Sequence, residues 1–115
     1  VLVYDRENDI KNFKVSASIL EQLNLSPGGI IVPSKGNSSD FVSRFFTPGA
    51  AVFEDPVTGS AHCTLVPFWA GRLHKKDLHA FQISDRQGEL FCKLAGDRVI
   101  IKGKAVKYLQ GTINI

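Results

Sequence analysis

The 115-residue chain has room for one domain, and a chain of this size buries about 65% of its unfolded surface, enough for one core and too little for two. Charged residues at 22% and hydrophobic ones at 43% fit a soluble globular protein and argue against a disordered or membrane-embedded one. The formal charge of +3 is spread over scattered basic residues, with Lys75-Lys76 the one adjacent pair, which argues against a nucleic-acid-binding stripe.

Residues 1–4 are β-prone and are followed by a polar turn over residues 5–9. Ile10, Phe13 and Val15 lead to Ser16-Ala17-Ser18, where Ser18 and Glu21 have capping-box spacing. A short helix is expected there, with Ile19, Leu20 and Leu23 as its buried stripe and Leu25-Ser26-Pro27-Gly28-Gly29 as its end. Residues 30–32 read as a buried strand and residues 35–39 as an exposed loop. The glycine of that loop lacks phosphate-binding spacing, so no nucleotide is expected.

Residues 40–47 read as a strand with Phe41, Ser43 and Phe45 on one side and Val42, Arg44 and Phe46 on the other. Bulk on both faces predicts a strand between two layers. Arg44 then either snorkels out to solvent, forms a structural ion pair with an acid such as Asp55, or reaches a ligand; the ion pair is the usual state of such a residue.

The stretch FFTPGAAVFEDPVTGSAH, residues 45–62, joins two acids, two prolines and a Thr-Gly-Ser step to the apolar run CTLVPFWA. A helix is expected from Ser60 to about Leu73. The first N–H groups of a helix lack intrahelical partners and carry a partial positive charge, so Thr58-Gly59-Ser60-Ala61 predicts an anion-binding corner, to which the Ser60 hydroxyl adds a donor. Asp55, fixed by Pro56, could face the same pocket as a proton-transferring or orienting carboxylate. The alternative is that Asp55 starts a turn and Thr58 or Ser60 caps the helix.

Cys63, Leu65, Val66, Phe68, Trp69 and Ala70 cover nearly every face of the helix, which predicts a buried one, bent or loosened at Pro67 and ended by Gly71 and the basic residues after it. His62 is expected to be a hydrogen-bonded core residue more readily than a pocket residue, and Cys63 lacks a basic partner that would make it a nucleophile. Antiparallel strands are expected over residues 78–84, 89–94, 98–102, 105–109 and 112–115. A strongly curved antiparallel sheet wrapped round one apolar helix, an α+β fold, accommodates both the meander and the helix.

Cys63 and Cys92 form no Cys-x-x-Cys pair, and His62, His74 and His79 lack zinc-site spacing, so neither metal nor cofactor is expected. A reduced, cytoplasmic setting fits, with one disulfide still open. No signal peptide and no membrane-spanning run are read, and the abrupt strand-like start predicts a piece of something longer.

EDPVTGSAH (54–62), with DFVSRFFTPGA (40–50), PFWAGRL (67–73), QGEL (87–90) and DRVIIKGKAV (97–106), resembles the C-terminal half of the phenazine-biosynthesis-like isomerase and epimerase family over almost the whole chain. The resemblance implies a diaminopimelate-epimerase-like fold of two halves, each a barrel-like sheet round a central helix, with the active site between them. The family's characterised isomerase moves a proton along a cyclic dihydro-hydroxyanthranilate, with a glutamate of the N-terminal half as principal acid/base. By resemblance, Asp55 and Ser60 assist it, and the amides of Gly59 and Ser60, with Ala61 beside them, hold the substrate carboxylate.

That N-terminal half is absent from these residues, and Asn24-Leu25-Ser26, followed by Pro27, is not its glutamate motif. Ala51 and Phe53 stand where the family usually has glycine and a polar residue, and are expected to narrow the pocket. Gln87 replaces a glycine. The resemblance further implies a biosynthetic role, a homodimer or a protein partner, and no nucleic-acid or membrane contact. The chain alone is expected to be inactive. The rival reading is a non-catalytic protein-interaction module of the same fold.

Overall fold

The computed structural model describes residues 1–24 and 28–115. Its organising strand is β2 (Phe41–Phe46), preceded by α1 (Glu7–Lys11), α2 (Ala17–Glu21) and β1 (Ile30–Lys35), and followed by α3 (Gly59–Leu73), β3 (Asp77–Gln82), β4 (Gly88–Ala95) and β5 (Arg98–Lys102). The alternation along β2 divides the core as expected. Phe41 and Phe45 join Leu65, Val66, Trp69, Leu78, Ala80 and Leu90 under α3, while Val42 and Phe46 join Ile10, Leu20, Ile30 and Val32 on the opposite side. Burying each large aliphatic or aromatic side chain in these clusters contributes roughly 2 kcal/mol, so the sheet is held from both faces at β1 and β2.

The five strands lie in chain order, β1-β2-β3-β4-β5. Pairing is antiparallel except between β2 and β3, which run parallel in the register Phe41↔Ala80 and Ser43↔Gln82. The α3 crossover imposes this, because a parallel neighbour needs a long connection across one face of the sheet. That register brings Gln82 to the level of Ser43, directly behind the loop that enters α3.

Several expectations are corrected. The sheet is not closed into a barrel, and α3 is not enclosed: Ala61, His62, Leu65, Val66, Trp69 and Ala70 form its buried stripe, while Cys63, Thr64, Pro67, Gly71 and Arg72 face solvent. Pro67 is tolerated because the carbonyl it leaves unpaired, that of Cys63, lies on this open side. The helix ends at Leu73, as expected, and it is the capping His74, not Gly71, that takes the left-handed conformation, at φ 52°. Residues 105–109 and 112–115 form no strand.

Near the N-terminus, the turn expected over residues 5–9 gives way to α1. Its Glu7 carboxylate pairs with Lys11 one turn on and accepts from the Asn37 N–H at 2.7 Å, a tie that a local reading does not contain. Ser16, not Ser18, caps α2, accepting from the Ile19 N–H at 3.4 Å. Only Leu20 of the expected stripe is buried, since Ile19 and Leu23 are more than half exposed. The helix end expected at Leu25, Ser26 and Pro27 lies outside the described residues.

Candidate active site

The loop of residues 54–58 is irregular, yet it is tied to β2, to the end of β3 and to the turn that follows β3. Arg44 of β2 grips Glu54 with two parallel bonds, Nε to Oε1 and Nη2 to Oε2, both 2.7 Å. Its Nη1 also donates to the carbonyls of Ile10 (3.2 Å) and Phe13 (2.9 Å). The structural ion pair expected of Arg44 is therefore present, with Glu54 in place of Asp55. Bidentate geometry and partial burial make it stronger than an exposed pair. The Asp55 N–H donates to Phe45 O at 3.0 Å, so the loop leaves β2 alongside the strand itself.

Gln82, at the end of β3, holds the far side of the loop. Its Oε1 accepts from the Thr58 N–H at 2.8 Å, and its Nε2 donates to Asp55 O at 2.7 Å and to Thr58 Oγ1 at 3.1 Å. Two residues on, Ser84 Oγ donates to Pro56 O at 2.9 Å and accepts from the Gln87 N–H at 3.1 Å. Gly88 packs against Val57 so closely that a Cβ there would collide with it. Gln87 takes φ 58°, a left-handed conformation, which gives a physical reason why a glycine suits this position.

Among the described residues no side chain caps the start of α3. Thr58 occupies the N-cap position, but its hydroxyl donates instead to Asp55 Oδ2 at 2.6 Å. The amides that open the helix, those of Gly59, Ser60 and Ala61, therefore lie at an end without a side-chain acceptor. A Cβ at Gly59 would meet nothing within 4 Å, so the backbone there is open to close approach. Ser60 is exposed, and the Ala61 side chain is buried against the core.

Asp55 and Gly59 share a cleft of ≈ 800 Å³ whose other walls include Arg86, Glu89, Lys104 and Ile101. Glu89 accepts from Lys104 Nζ at 2.8 Å and lies 3.0 Å from His79 Nε2; these contacts, Lys104 first, hold its carboxyl below the usual range. Arg86 makes no ion pair among the described residues. Asp55 and the helix start are thus brought to one wall, whereas Ser60 lies beside the cleft and not in its lining. Ala51 and Phe53 do not narrow it. Ala51 is exposed elsewhere, and Phe53 packs on Phe46 at 5.6 Å on the other side of the sheet.

His62 is fully buried and outside the cleft, with Nδ1 2.7 Å from Thr58 O. Burial lowers its pKa, outweighing the carbonyl that would raise it. Cys63 is exposed on the open side of α3 and Cys92 is buried; both are free, and the Cys92 thiol is pushed up to about 11, chiefly by burial. Sequence reading missed Gln82. The available signal was a glutamine at a core-facing position of the alternation Leu78, Ala80, Gln82.

The model of the phenazine biosynthesis-like protein family matches residues 4–111. An uncharacterized isomerase of Pseudomonas aeruginosa is 56% identical over 87 residues, covering 76% of this chain and 33% of that protein. Another, from Halalkalibacterium halodurans, is 46% identical over 111 residues, covering 95% and 41%. A crystal structure of a phenazine biosynthesis PhzC/PhzF-type protein from Clostridium difficile superposes with a TM-score of 0.86 at 42% identity, covering 99% of this chain and 44% of that one. The chain thus spans less than half the length of these relatives. Among the described residues no helix is long and apolar enough to cross a membrane.

Proposed function

The chain belongs to the phenazine biosynthesis-like family, and from that premise we propose that it forms one half of an interdomain active site for acid/base proton transfer on a small carboxylate-bearing substrate. The observation that carries the proposal is the common wall: the Asp55 carboxylate and the uncapped start of α3 line one cleft. Proton abstraction beside a carboxylate needs a positioned acid or base and donors for the negative charge that develops. In this reading Asp55 gives or takes a proton, the amides of Gly59, Ser60 and Ala61 hold the substrate carboxylate, and the Ser60 hydroxyl assists. The opposite wall and a principal glutamate come from an N-terminal half. Relatives called isomerases support the reaction class.

The test joins this chain to the N-terminal half of a relative and follows deuterium entry from solvent into dihydro-hydroxyanthranilate. The chain alone gives no exchange above buffer, and the hybrid does. Asp55→Asn in the hybrid lowers the rate by a factor on the order of 10² to 10⁴. The same change costs this chain about 1 kcal/mol or less, because asparagine keeps an oxygen for Thr58 to donate to. Turnover by the chain alone, or a hybrid indifferent to Asp55→Asn, would refute the proposal. A hybrid inert with every carboxylate tried would favour the interaction module.

A further inference from the structure

Gln82 is fully buried, and among the described residues all its side-chain hydrogen bonds go to the loop that carries Asp55. Its orientation is fixed by the backbone: the Thr58 N–H can only donate and the Asp55 carbonyl can only accept, so Oε1 must face the first and Nε2 the second. The remaining Nε2 hydrogen then points at Thr58 Oγ1, 3.1 Å away. A hydroxyl that accepts there has its single hydrogen left for Asp55 Oδ2 at 2.6 Å. The hydrogen bonds therefore run one way, from Gln82 through Thr58 to Asp55.

We infer that Gln82 is a positioning residue that locks the Thr58 hydroxyl as a donor to Asp55 Oδ2 and so reserves Oδ1 as the oxygen through which Asp55 exchanges its proton. Oδ2 already accepts a hydrogen bond from Thr58, which makes it a weaker base than Oδ1, so the proton goes to Oδ1. When Asp55 takes a proton from substrate, the O–H bond forms at Oδ1 and the electron pair of the broken C–H bond stays on the substrate. Return of the proton reverses this. The inference rests on the acid/base reading of Asp55, while the orientation itself can be measured without any reaction.

The measurement is NMR of this chain with labelled aspartate carboxyls and threonine, in mixed light and heavy water. In the wild type the Thr58 hydroxyl exchanges slowly and the Asp55 Cγ signal splits through its bond to that hydrogen. Gln82→Glu at pH 8 offers a competing acceptor, so the hydroxyl turns to it and the splitting disappears. Gln82→Met offers neither donor nor acceptor and speeds exchange of the Thr58 hydroxyl and amide about tenfold, the equivalent of one lost hydrogen bond. Amide protection of Leu65 and Val66 within α3 stays within about twofold, which shows that the core remains folded. Thr58→Val removes the splitting with both backbone ties of Gln82 intact.

An unsplit Asp55 signal in the wild type overturns the inference, as does a split one in Gln82→Glu. The wild-type spectrum decides even where a variant does not fold. If the splitting behaves as described but Asp55→Asn leaves exchange by the hybrid intact, the orientation stands and the acid/base reading is what fails.

Discussion

The loop of residues 54–58 and the segment of residues 103–115 both lie outside the helices and strands, yet their surroundings are opposite. The loop is rich in turn residues, and Arg44, Gln82 and Ser84, from elsewhere in the chain, hold it at four of its five residues. The segment is rich in β-branched and apolar residues, but Val106, Tyr108, Leu109, Ile113 and Ile115 are all more than 80% exposed. Order at a site is thus set by partners distant in sequence, not by propensity. A strand needs a neighbouring strand as much as an irregular loop needs its ties.

The strongest way to break this contrast is to cut the loop loose. Arg44→Met strands the Glu54 carboxylate in a partly buried place and removes the donor shared by the carbonyls of Ile10 and Phe13. Losing one partner of such a pair costs about 3 kcal/mol, and urea midpoints of wild type and variant measure it. Because Arg44 also ties α1 and the segment after it to β2, that segment and the loop should loosen together. Amide exchange should quicken at Asn12 and Phe13 as well as at Asp55.

A smaller effect comes through His62, which ties the loop to α3 from inside. The Thr58 carbonyl can only accept, so the hydrogen of the neutral ring sits on Nδ1. Nε2 is left buried without a partner among the described residues, and a second proton there would place a charge in the core. The folded pKa is lowered from 6.5, so below pH 6.5 the unfolded chain takes up a proton that the folded one resists. Its contribution to stability is complete above that pH and is lost as pH falls toward the folded value. The slope cannot exceed about 1.4 kcal/mol per pH unit for one proton. Urea midpoints between pH 7.5 and 5.5, above the range where ordinary carboxylates titrate, should fall with pH in the wild type and less so in His62→Phe.

The same contrast accounts for what could be read from sequence. Alternating bulk on both faces of β2 gave a strand between layers, because it depends on neighbours within a few residues. The loop-to-helix junction, in contrast, left open whether Thr58 or Ser60 caps α3, because the Thr58 hydroxyl is held by Gln82 as well as by Asp55. Gln82 and the Glu7 contact to Asn37 depend on residues 24 to 30 positions away, and no local pattern contains them. Pattern also misled where a strand or stripe needed a partner: Ile19 and Leu23 have helical spacing but little to pack against, and residues 105–115 have strand composition but no neighbour.

That last case yields the smallest expected change. Removing residues 105–115 deletes no buried apolar side chain and no backbone pairing within the sheet, because β5 ends at Lys102 and its outer edge is unpaired. The contacts involving the deleted residues include a surface bond from Lys107 Nζ to Gln110, of a kind worth a few tenths of a kcal/mol at most. The shortened chain should therefore unfold within about 0.5 kcal/mol of the original. It should also be more soluble, having lost a run of exposed apolar residues beside an open strand edge. A loss above about 1 kcal/mol would mean that the segment folds back onto β5 in solution, and propensity would then outweigh partners in the very segment that now shows the reverse.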